Sequence, residues 1–298
     1  YLTATSIATS VFSLIFWSFG FLRMGTTGMV AQAHGSKNYD EIVNLVFRNI
    51  AFVILISLLL ILCQGYIFII SLSIFKLSDE TTKYFKEYFE LRIYSSFGEL
   101  TIYIITGLFI GLQRTTVSSV VVGFFSITNI LLSLLFVVYF DLDVQGVALG
   151  TLVSSTLTSV IFLSYSFFEL QKITSIKINI EKIFDIEKIT KLFNINFDIF
   201  IRSAFLTFSF LFFTYLGNTI SEDVVAANTI LLNLIMLSAF ILDAYAFSTE
   251  GIVGYSIGSK NKKLLTNVIK NSFILSATTG LLISIVYLFG KNHFISIM

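Results

Sequence analysis

Eight apolar runs, each about long enough to cross a bilayer as a helix, leave this chain few folds. They lie at roughly 4–33, 47–75, 88–112, 117–139, 146–168, 197–218, 226–256 and 271–289. Hydrophobic residues fill 56% of the 298 positions and charged residues only 12%, where soluble domains carry about 25% charge. A mean hydropathy of +0.89 says the same. In hydrocarbon every backbone N–H and C=O needs an internal partner, so such runs cross as helices. The expected fold class is an all-α, polytopic membrane helical bundle. The balance of charge, +1 overall, offers no basic stripe for nucleic acid.

One sequence occurs twice. Residues 28–38 read GMVAQAHGSKN and residues 251–261 read GIVGYSIGSKN, 223 positions apart, with six of eleven positions identical. The match continues without gaps: Ala4 pairs with Ala227, Ile7 with Ile230, Leu14 with Leu237, Thr26 with Thr249, and Asn44 with Asn267. Helices recurring at this spacing in a hydrophobic chain mark a transporter of two repeated bundles. The repeat divides the chain into a first lobe at 1–170, a linker at 171–195 and the start of a second lobe at 196–298. Completing both copies predicts a protein of about 420 residues, of which this sequence is a fragment with a truncated second lobe.

Basic residues set the sidedness. The side holding the GSKN turns carries Lys37, Arg48, Arg114, Lys172, Lys177, Lys182, Lys188, Lys191, Lys260, Lys262, Lys263 and Lys270. The other side carries Lys76, Lys83, Lys86 and Lys291, and its loops hold Asp141, Asp143, Glu222 and Asp223. By the positive-inside rule the GSKN turns are cytoplasmic and the protein sits in the cytoplasmic membrane. The polar linker, Gln171 to Asn194, places Ile183, Ile186, Ile189 and Phe193 three or four apart. That pattern fits an amphipathic helix on the inner leaflet, and equally a solvated connection. Gly35 and Gly258 are expected to end their helices or to let helices approach closely.

Ionisable groups inside a span are costly and are read first as functional. Asp243 and Glu250, seven apart, share one helix face. Asp198 and Arg202, four apart, share a face of the preceding helix. The expectation is a buried second-lobe network in which Arg202 offsets one carboxylate and another binds H+ or Na+. The bland alternative is charges that merely lock helices together. Arg23 is expected either to act in a span or to snorkel to the interface. Arg92 and Glu99 are expected to pair with adjacent helices. Cys63, in an apolar run, is expected to be a buried structural thiol.

The segments FLRMGTTGMVAQAHG (21–35), DVQGVALGT (143–151), NFDIFIRS (196–203) and AANTILL…LDAYA…E (226–250), ending in Gly258, resemble the MATE (multidrug and toxic compound extrusion) family, in particular its DNA-damage-inducible F-like branch. The resemblance implies two six-helix lobes, of which this chain holds helices two to nine. It implies an antiporter and not an enzyme, with H+ or Na+ as coupling ion and no other cofactor. It implies alternating access and substrates that are small, lipophilic and often organic cations. A monomer is expected. Family members typically place an aspartate four residues after an asparagine on helix five; here Asn129 is followed by Ser133. Asn129, Tyr103, Thr151 and Glu99 are the polar candidates for the substrate cavity, with helix–helix hydrogen bonding as the plain alternative.

Other chemistries find little support. No GxxxxGK[ST] loop is present for ATP. His34 and His293 lie far apart in the sequence near span ends, so no metal cluster is visible. A flippase for lipid-linked sugars is the alternative reading, and it would line its cavity with several Arg and Lys. An intramembrane transferase would need convergent His, Asp or Cys groups.

Overall fold

The computed structural model describes the backbone of residues 2–75, 77–175, 180–218 and 222–297. Expectations resting on Lys76, Lys177, Glu222, Asp223, Lys291 and His293 fall outside the described side chains. The chain runs through α1 (Leu2–Ser18), α2 (Phe21–Gly35), α3 (Tyr39–Leu62), α4 (Gln64–Phe75), α5 (Asp79–Arg92), α6 (Ser96–Gly111), α7 (Thr115–Leu134), α8 (Asp143–Gln171), α9 (Ile180–Ile183), α10 (Ile186–Asn218), α11 (Glu222–Gly258) and α12 (Lys262–Ile297). No strand occurs among the described residues. Seven helical segments among them are long and apolar enough to cross a membrane. The eighth expected run, 197–218, lies within α10, which includes side chains outside the described set.

Helices begin before the apolar runs do, because their first turns are polar. Ser78 caps α5 by accepting from the Thr81 N–H, and Asp79 and Glu80 fill the first turn. Acidic groups there complement the helix dipole. The run at 4–33 is divided at Phe19–Gly20 and the run at 47–75 at Cys63. Cys63 is exposed, not buried as expected. It sits at the break between α3 and α4 beside Leu62 and near Tyr66, which are also exposed, so it lies on an outer apolar surface. Leu55, Leu58 and Leu59 share that surface. Apolar faces this extensive are stable where lipid is the solvent.

Buried aromatic rings knit the first lobe. Phe12 of α1 packs 5.1 Å from Phe89 of α5, and Leu100, Ile104, Val144 and Ala148 from α6 and α8 complete the cluster. The polar linker divides between short α9 and the first turns of α10. Of its apolar stripe, Ile183 on α9 is buried, whereas Ile186 and Phe193 on α10 are exposed. Leu192 and Asn196, four apart, supply the buried face of α10 instead.

The repeat is reproduced atom by atom at the helix ends. After α2 the Asn38 N–H donates to the Ala33 carbonyl and the Lys37 N–H to that of His34. After α11 the Asn261 N–H donates to Ser256 and the Lys260 N–H to Ile257. This double bond pattern is the Schellman stop. Its left-handed residue is the lysine, with φ of 58° at Lys37 and 54° at Lys260, and not the glycine. Asn38 then caps α3 at Glu41 and Asn261 caps α12 at Leu264. Inside each copy a threonine holds the next helix: Asn49 Nδ2 donates to Thr26 Oγ1 (3.1 Å) and Thr249 Oγ1 donates to Ser272 Oγ (2.7 Å).

Gly35 and Gly258 serve close approach. A Cβ on Gly35 would overlap the Tyr255 carbonyl oxygen, and a Cβ on Gly258 would overlap the Gln32 carbonyl oxygen. Under the 223-residue offset Gln32 corresponds to Tyr255 and Gly35 to Gly258. The two copies therefore meet through a reciprocal, two-fold contact. Glycine lets backbones touch, which is how membrane helices pack tightly without a hydrophobic drive.

Candidate functional site

The site is a cavity of about 720 Å³ walled by α2, α6, α7 and α11. Its floor is the seam just described. Ile110 lines the cavity, and its carbonyl lies 2.6 Å from where a Cβ on Gly251 would sit. From there toward the GSKN turns, Gly254 meets Ala31 and Gly258 meets Gln32. Toward the GSKN end, α2 and α11 are thus in direct contact.

The wall is mostly apolar, with hydroxyls and aromatic rings set into it. Helix α7 contributes Ser118, Ser119, Ser126 and Phe125; α6 contributes Glu99, Tyr103 and Thr106; α11 contributes Phe247. Among the described lining residues only Arg23 and Glu99 are charged. Glu99 is already engaged: Arg92 Nη1 and Ser95 Oγ both donate to its Oε1. Arg92 at the end of α5 and Glu99 at the start of α6 therefore pair with each other across the turn Ile93–Ser95, rather than with the helices packed beside them as expected. The neighbouring helix offers rings instead, Phe12 and Phe16, 5.2 and 5.0 Å from the Arg92 guanidinium. Seven-residue spacing allows the pair, and buried charge needs such a partner.

Arg23 is different. Its guanidinium carbon lies 3.8 Å from the centroid of the Phe247 ring, so a first-lobe cation stacks on a second-lobe aromatic. Its Nη1 is buried with no hydrogen-bond partner among the described residues. Glu250 and Asp243 of α11 are both within its electrostatic reach. Arg202 also acts on Glu250, and its Nη2 lies 3.3 Å from Met24 Sδ.

Glu99 and Tyr103 line the cavity, and the Tyr103 hydroxyl donates to the Phe16 carbonyl at 3.3 Å. Asn129 and Thr151 are not in its wall. Asn129 Oδ1 accepts from Ser133 Oγ (3.5 Å), where Ser133 lies against Gly150, and Thr151 is buried and donates to the Val147 carbonyl. Glu250 is half-buried and Asp243 exposed, and neither is in a direct ion pair among the described residues. Asp198 is exposed, lines a groove with Lys191 and Asn194 along α10, and makes no ion pair with Arg202. The charged network thus spans both lobes through Arg23, which single-helix periodicity could not reveal. Ser119 and Ser126 gave no sequence signal either, since lone serines are common in membrane helices. No group of three or more His, Cys, Asp or Glu side chains gathers for a metal among the described residues.

Residues 1–135 and 199–298 match the MatE family. The chain is 29% identical over 300 residues to DNA damage-inducible protein F of Escherichia coli (strain K12), covering the whole chain and 65% of that protein. It superposes on a crystal structure of MATE in complex with MaD5 with a TM-score of 0.87 at 17% identity, covering 98% of this chain and 66% of that one. A MOP superfamily transporter from Pyrococcus furiosus, described as having a binding pocket of reverse polarity, gives 0.84 at 17% identity, covering 97% and 65%. The chain spans just under two thirds of the length of the relatives it matches. The expected all-helical, multi-pass membrane fold is the fold found.

Proposed function

The chain belongs to the MatE family, and from that membership we propose that it handles substrate in a secondary transporter exporting small lipophilic organic compounds in exchange for H+ or Na+. The observation that carries this reading is a cavity at the lobe boundary with a floor of touching backbones. A floor held by glycine contacts is separable: opening it costs close packing and a few weak Cα–H···O contacts, about 0.5–1 kcal/mol each. Binding energy of that order can shift a two-state equilibrium between lobe arrangements. The membrane is the cytoplasmic one, with the GSKN turns inside, as the Lys and Arg distribution supports. The protein works as a monomer, and transport, not catalysis, is its activity.

Coupling runs through Glu250, with Asp243 next on the same face. Loading a cation on Glu250 weakens its hold on Arg23, the residue bridging the lobes. The flippase alternative is weaker, because a diphosphate calls for several cations and the described wall offers one, Arg23. The test is dye movement in proteoliposomes under imposed H+ or Na+ gradients. We expect gradient-driven movement that Glu250→Gln uncouples. Movement in Glu250→Gln that still follows the gradient would contradict the coupling role, and no movement with any gradient would contradict the transport reading.

A further inference from the structure

Resting on the reading of this cavity as the substrate site, we propose that it selects flat aromatic compounds bearing an anionic acceptor, such as a carboxylate, over the organic cations that the family resemblance implies. Phe247 holds the Arg23 guanidinium face-on at 3.8 Å, which leaves the in-plane N–H edges as donors. One of those donors, Nη1, is buried and unpartnered. Arg23 lines the cavity, so a carboxylate on a ligand there pairs with the guanidinium by charge-assisted bonding. A ligand cation finds no equivalent. Glu99 is the acidic group in the described wall, and Arg92 and Ser95 occupy it. Glu250 and Asp243 attract Arg23 from α11 but make no direct ion pair with it and are not in the described wall. Phe125 and Tyr103 offer aromatic rings in the same wall as Arg23, and Ser119 and Ser126 offer hydroxyls to polar substituents.

The experiment measures equilibrium binding of three matched probes to the purified protein in nanodiscs, without a gradient: 2-naphthoate, 2-naphthylmethanol and 2-naphthylmethylammonium. The expected order is naphthoate tightest, with Kd at least about tenfold below that of the ammonium probe. Arg23→Gln should erase that difference while leaving naphthylmethanol binding within about threefold. Ser119→Asp, which adds a carboxylate to the wall, should weaken naphthoate and spare the ammonium probe even if Arg23→Gln fails to fold. Ammonium binding as tight as naphthoate, or a preference untouched by either variant, would overturn the proposal. Because binding needs no gradient, a protein that prefers naphthoate but moves no dye would count against the transport reading alone.

Discussion

Helices α2 and α11 carry the same stop, the same asparagine cap and the same threonine tie to the next helix, yet they bring opposite charges to the lobe boundary. Under the 223-residue offset Arg23 corresponds to Ala246, Thr27 to Glu250 and Gly20 to Asp243. Packing is duplicated and charge is not. A reciprocal contact at Gly35 and Gly258 needs both copies to present the same backbone. A cavity that binds and couples needs the two sides to differ. The repeat therefore sets how the lobes meet, and its departures set what happens between them.

The duplicated packing breaks most visibly at the seam. Gly258→Leu drives a side chain into the Gln32 carbonyl, and we expect a loss of at least about 1–3 kcal/mol from overpacking, or an open seam. Thermal unfolding in detergent together with cross-linking across the seam checks it. Gly28→Ala is the control: although Gly28 corresponds to Gly251, nothing lies within 4 Å of its added Cβ, so the change should stay within about 0.5 kcal/mol. Equal effects at both would show that the two copies do not pack as described.

A second break lies in the linker, which has no counterpart in the comparison. Arg48 donates through Nε to the Ile183 carbonyl (2.9 Å) and through Nη2 to that of Lys182 (2.8 Å), while Glu41 accepts from both Arg48 and Lys188. Arg48 is only 4% exposed, so these are buried, charge-assisted bonds. Arg48→Ala should cost about 1.5–3 kcal/mol of local stability. Hydrogen exchange should rise at 180–183 and stay unchanged in α6; uniform exchange across the chain would contradict a local clamp.

The paired threonine bonds sharpen the comparison with a smaller effect. Thr26 is buried, and Thr26→Val leaves Asn49 buried without its acceptor, for about 1–3 kcal/mol. Thr249 is half-buried, and Thr249→Val should cost about 0.6 kcal/mol, the usual size of a membrane interhelical hydrogen bond. Thermal shifts of the two variants in the same detergent should differ in that order. Smallest of all, Asp198→Asn should leave both stability and transport within error, since that carboxylate is exposed. A transport loss in Asp198→Asn would restore it to the coupling network.

Much of this fold was legible because its causes are local. Apolar length gave the spans, and the spacing of GSKN gave the repeat whose ends match bond for bond. What was not legible depends on which faces meet. Asp243, Glu250, Asp198 and Arg202 were grouped by helical spacing, but spacing fixes a face and not its neighbour. Arg23 joins Glu250 only because α2 of one half packs against α11 of the other. The sequence suggests partners on adjacent helices for Arg92 and Glu99, whereas the turn Ile93–Ser95 between them lets them pair with each other. An apolar run does not say which of its faces meets lipid, so the exposure of Cys63 on the outer apolar surface is not legible from the run that holds it.

The seam itself offers the most direct test of the account. Spin labels at Lys37 and Lys260, exposed in the matching turns of the two copies, would report its opening by pulsed electron resonance distances in nanodiscs. The account predicts a short, narrow distance at rest and a second, longer population when 2-naphthoate and a cation gradient are supplied. One unchanged distance under every condition, in protein that still moves substrate, would contradict it.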